Sequence, residues 1–145
     1  MHDRWRTPID RPAARRALPY CPPTLEEGPL KFLITFNHID GEWDKLTPDE
    51  QASHGAQLGD LMRALREEQG TQLVFLAPKE DAKTVRIRTD KRLEVVDGPP
   101  SDSPEQLGGY YVVEADSMQE AVEWARRGRF LVGSNEVREI VEFPG

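Results

Sequence analysis

The sequence predicts an α+β fold, a ferredoxin-like sandwich with two helices on one face of an antiparallel sheet, paired with a second copy into a dimeric α+β barrel. Three observations carry this. Segments that alternate at period two are interspersed with two segments of helical periodicity. Each helical segment opens on a capping-box pattern. The elements follow in the order β, long α, β, β-hairpin, β, short α, β.

The first strand starts at Leu30, where Leu30, Phe32, Ile34 and Phe36 alternate with Lys31, Leu33, Thr35 and Asn37 and define one strongly buried face. Thr47-Pro48-Asp49-Glu50 then reads as a capping box with proline in the first turn. Leu58, Leu61, Met62 and Leu65 continue it as the inward face of a long helix, and Gly70 supplies a left-handed stop. Gln72 to Leu76 is a short apolar strand. Thr84 to Arg88 and Arg92 to Val96 form a hairpin around Thr89-Asp90-Lys91. A loop from Asp97 to Gln106 precedes a strand at Tyr110 to Ala115. Ser117-Met118-Gln119-Glu120 caps a shorter helix with Met118, Ala121, Val122 and Ala125 inward, and Val137 to Phe143 is the last strand. Apolar residues at both parities of Tyr110-Tyr111-Val112-Val113 imply burial of both sheet faces. Two helices cover one face, so the other is expected to pack on a twin across a two-fold axis, giving a homodimer.

At 145 residues the chain holds one domain. Residues 1–29 contain six of the twelve prolines and five arginines, and read as an irregular tail ahead of a domain at 30–145. The formal charge of -7 disfavours general nucleic-acid binding, which draws its affinity from basic side chains. One cysteine, Cys21, excludes an internal disulfide and a cysteine-rich zinc site. No run reaches the roughly 20 apolar residues of a membrane span, so a soluble, cytoplasmic protein is expected.

Lys31-Phe32-Leu33-Ile34, Glu42-Trp43 and Leu46-Thr47-Pro48-Asp49-Glu50 resemble, in that order, the DGPF subgroup of YCII-related proteins. Asp97-Gly98-Pro99-Pro100, Glu105-Gln106-Leu107-Gly108-Gly109-Tyr110-Tyr111, Glu114-Ala115-Asp116-Ser117, Glu120-Ala121 with Trp124, and Val137-Arg138 continue the resemblance over about residues 30–143. It implies a ferredoxin-like dimer. Pro100 departs from the motif, which has phenylalanine there. Relatives begin with methionine where Leu30 stands, which leaves two readings of residues 1–29: a genuine extension, or a translation start at Leu30.

His54 lies four residues before Leu58 and seven before Leu61, hence on the inward face of the long helix, where an imidazole suits general acid–base work. The resemblance implies that a histidine early in this helix is half of a His–Asp pair. The aspartate expected after the second helix would fall in residues 126–132, which contain no acid, so Asp97 is taken as the candidate partner. The competing readings are a structural histidine and a turn-forming aspartate. His38, in phase with the buried parity of the first strand, is read with Trp43 and Tyr110 as candidate ligand contacts. The spacing of His38, Glu42, His54 and Asp97 supports no metal site, and no motif calls for a cofactor. Arg86, Arg88, Lys91 and Arg92 read as a solvated hairpin face, Arg126, Arg127 and Arg129 as cations at a helix C-terminus, and Gly108-Gly109 as a sharp turn into Tyr110. Three classes of function remain: an isomerase- or lyase-type enzyme with a cleft for a small organic molecule, by analogy with relatives sharing the fold; a non-catalytic regulatory module that senses a ligand or contacts an extracytoplasmic-function sigma factor; or a plain structural dimer with no ligand.

Overall fold

A computed structural model describes residues 28–129 and 132–143, so nearly all of the proline-rich segment lies outside the described residues. The elements are β1 (Leu30–Ile39), a 3-10 turn (Trp43–Lys45), α1 (Pro48–Ala64), β2 (Val74–Phe75), β3 (Lys83–Ile87), β4 (Leu93–Asp97), β5 (Glu105–Ala115), α2 (Met118–Arg127) and β6 (Gly133–Glu139). Strands β2, β5, β1 and β6 form one antiparallel sheet in that order, and β3 pairs only with β4. In the units β1-α1-β2 and β5-α2-β6, each pair of strands leaves a gap that a strand of the other unit fills. This α+β arrangement is compatible with the ferredoxin-like expectation. The hairpin is an insertion beside the sheet rather than a part of it.

Phe32 and Ile34 of β1 stand directly opposite Val113 and Tyr111 of β5, and all four are fully buried against Leu61, Leu65, Ala121, Trp124 and Ala125 of the helical layer. Tyr111 sends its hydroxyl beneath α2 to donate to the carbonyl of Trp124 at 3.2 Å, which spares a buried phenol an unmet donor. Burial pushes its pKa well above the usual value, so the proton needed for that bond stays on. The inward stripe of α1 is Leu58, Leu61, Ala64 and Leu65, whereas Met62 is 38% exposed, because it falls beside the stripe. On the other sheet face Leu33, Thr35, Tyr110 and Val112 are half-buried within the single chain.

Thr47 accepts from the Glu50 amide while the Glu50 carboxylate accepts from the Thr47 amide, completing the first capping box. These backbone and side-chain bonds hold the Glu50 carboxyl below its ordinary pKa. The stabilisation is therefore present at neutral pH and is lost as pH falls through that lowered value. The second box is half made: Ser117 accepts from Glu120, but the Glu120 carboxylate reaches the Asp116 amide instead. Beyond Ala64 the helix widens into a π-turn, Leu65–Gln69, and ends on Gly70 at φ 64°. Gln69 there presents its side-chain amide to β5 as another strand would. It donates to the Glu114 carbonyl at 3.0 Å and accepts from the Glu114 amide at 2.8 Å.

Several strand limits differ from the sequence reading. β6 spans Gly133–Glu139 instead of 137–143, since its first half, Gly-Ser-Asn-Glu, sits on a sheet edge and carries no apolar alternation. β5 begins five residues before Tyr110. Gly108 and Gly109 are buried strand residues and make no turn. A side chain on Gly109 would lie 2.8 Å from Cε1 of Phe36 and closer still to the Val74 carbonyl oxygen. Gly109→Ala should therefore destabilise the protein by about 2 kcal/mol, the scale of overpacking a core, as read from urea midpoints at unchanged m.

Candidate functional site

One wall of a cavity begins where β1 leaves the core. Pairing with β5 runs Phe36 to Gly109 and then Asn37 to Leu107, so Gly108 is an extra residue, a bulge in β5. The alternation of β1 continues unbroken, and His38 stays on the helix side of the sheet. Its ring lies on Gly108: a β-carbon there would come within 2.5 Å of His38 Cε1, so only glycine leaves room for the imidazole.

His38 Nε2 is 4.0 Å from one oxygen of Asp40, and Lys79 holds the other oxygen at 3.0 Å. The Asp40 carboxylate raises the pKa of Lys79, which keeps the ammonium charged and the aspartate balanced. Facing this strand end, His54 projects from the first half of α1, one turn before Leu58. Its Nδ1 is shut off from solvent and has no hydrogen-bond partner among the described residues. Orphaned nitrogens of this kind cost on the order of 1–3 kcal/mol, so the position calls for an explanation.

Between the two imidazoles lies a cavity of about 400 Å³, walled chiefly by Phe36, Phe75, Leu58, Leu76 and Trp43. Phe36 and Phe75 meet edge to face, with centroids 5.9 Å apart. Trp43 lines the cavity while 43% exposed, which puts it at the rim, and Gln51 of α1 fixes its turn by donating to the Trp43 carbonyl at 3.0 Å. Asn135 of β6 bonds the carbonyls of Ala125 and Gly128, joining the end of α2 to the same wall. Gly55 leaves open space beside His54, since a β-carbon there would meet nothing within 4 Å.

Of the candidate residues, the structure brings together His54, His38 and Trp43. It does not bring Asp97 to His54. Asp97 ends β4, its side chain is 86% exposed, and it pairs with Lys83 across the hairpin, outside the residues that line the cavity. Tyr110 lies on the opposite face of the sheet, paired with Thr35 and Val74. No group of three or more metal-ligating side chains occurs among the described residues. Nor is any helix among them long and apolar enough to cross a membrane. Sequence reasoning missed the Asp40–Lys79 pair and the cavity role of Phe36 and Phe75. Gly108-Gly109 was the available signal, since adjacent glycines inside a strand mark close approach by other groups.

Chemically the hollow offers two imidazoles, each able to donate or accept a hydrogen bond, beside largely apolar walls that would exclude water around a bound molecule. The sequence model of the YCII-related domain matches residues 31–144. No curated protein matches the chain.

Gly108→Ala tests the seat of His38. Its methyl would overlap the His38 ring, which must move aside, so the variant should fold with a loss of about 1 kcal/mol. The His38 ring resonances should shift in the NMR spectrum while those of His54 stay in place.

Proposed function

This chain belongs to the YCII-related family, and we propose that its cavity binds a small, largely apolar organic molecule on which His54 and His38 transfer protons. The observation that carries the proposal is the buried Nδ1 of His54, which has no hydrogen-bond partner among the described residues and belongs to a side chain lining a largely apolar hollow. A ligand group able to hydrogen-bond would satisfy it and recover the cost of its burial. Two imidazoles on different elements suit a reaction in which one base takes a proton and a second acid returns it elsewhere, an isomerisation or elimination on a small acid or lactone. His38 replaces Asp97 as the second group because it lines the cavity. Asp40, itself balanced by Lys79, stands 4.0 Å from the His38 Nε2. The same reading includes a homodimer in which the face of Leu33, Tyr110 and Val112 packs against its twin, as the expected barrel requires.

Thermal-shift screening of small carboxylic acids, lactones and aromatic acids tests the reading. A ligand at 100 times its dissociation constant adds about 2.7 kcal/mol and should raise Tm by several degrees. His54→Ala should abolish that shift, and Gly55→Leu, whose β-carbon enters open space at a position lining the cavity, should abolish it with both histidines intact. Binding that survives both variants places the ligand elsewhere. Binding lost in both, with no turnover by the parent protein, identifies a ligand-sensing module instead of an enzyme.

A further inference from the structure

The β3–β4 hairpin stands outside the main sheet and presents one apolar face. Val85 is directly opposite Val95, and Ile87 opposite Leu93, so the four side chains project from the same side of the ribbon. They are 57%, 66%, 71% and 65% exposed. Four large aliphatic residues laid out as two adjacent cross-strand pairs make a continuous patch, unlike the scattered apolar residues of an ordinary surface. A two-stranded ribbon in water is at best marginally stable. Here it is tied by the pairs Lys83–Asp97, Arg88–Glu94 and Arg92–Asp90, all exposed and each worth little.

We infer that this hairpin is an arm that lays its apolar face on a second copy of the chain. Charge distribution selects that occupant. Residues 83–97 carry five basic and three acidic side chains, while the rest of the domain from Leu30 onward carries nine basic and nineteen acidic ones. Two whole chains repel, but the arm of one is attracted to the body of the other. Size argues the same way. A stable interface takes roughly 800 Å² from each partner, more than one side of a ten-residue ribbon supplies. Two arms related by a two-fold axis would add their apolar faces to the half-buried face of Leu33, Tyr110 and Val112 and so enlarge the contact toward that scale. The inference rests on the homodimer reading and adds to it a second contact that the sheet face alone would lack.

Sedimentation equilibrium of the full chain separates the two. The double substitution Ile87→Glu with Val95→Glu alters only exposed positions, so circular dichroism should match the parent while the dimer dissociation constant rises at least 100-fold. Val112→Glu, on the sheet face, is measured alongside. A dimer weakened by Val112→Glu but untouched by the double substitution overturns the arm and leaves the sheet-face dimer standing. A parent protein that is monomeric at about 100 µM, well above physiological dimer affinities on the usual scale, overturns both. Hydrogen-exchange protection of residues 85–95 in such a monomer would show that the cover comes from the same chain.

Discussion

The ten-residue antiparallel pairing of β1 with β5 is the constraint from which the rest follows. It sets Phe32 against Val113 and Ile34 against Tyr111, and these pairs receive both helices. It also carries the one irregularity that the site depends on. Because side chains alternate strictly along a strand, an extra residue in one partner reverses the faces of that partner beyond it, while the other keeps its phase. Gly108 is that residue. Up to Gly109 the two strands build a core together. Past the bulge β1 continues to aim at the helices, with His38 lying over the glycine, and the packed interior gives way to a hollow.

The hollow is tolerated because its surroundings are over-determined. Asn135 ties β6 to the end of α2, Gln51 ties α1 to the turn at Trp43, and Lys79 ties the loop before β3 to Asp40. Each tie bridges two elements around the rim, so the cavity is held open from several sides. Against this framework, α1 carries Gly55 and Gly59 in its interior, each costing roughly 1 kcal/mol relative to alanine. Gly55 faces open space on the cavity lining beside His54, so the helix gives up stability where the hollow needs room.

Much of this architecture was legible in the residues. Period-two alternation located β1 and fixed which parity is buried, and Thr47-Pro48-Asp49-Glu50 marked the start of α1 at the right residue. His38 and His54 could both be placed on the helix side by phase alone. What stayed hidden depended on partners distant in sequence. The polar first half of β6 is a strand only because β1 lies beside it. Asp97 looked attractive in its motif, yet it belongs to a hairpin that is separate from the main sheet, and no local pattern distinguishes an inserted ribbon from two further strands of the same layer. The glycine pair was visible, but its meaning came from the rings of Phe36 and His38, which reach it from across the sheet.

Gln69 has an effect beyond the element it ends. β2 covers only two residues of β5, and the stretch toward Ala115 would otherwise offer free main-chain groups along the border of the layer. By presenting an amide that imitates a peptide unit, the glutamine occupies the site where an unrelated extended segment could dock and recruit more of its kind. Fibril-like growth is thereby disfavoured at this border, because the main-chain groups of Glu114 are already satisfied by a side chain.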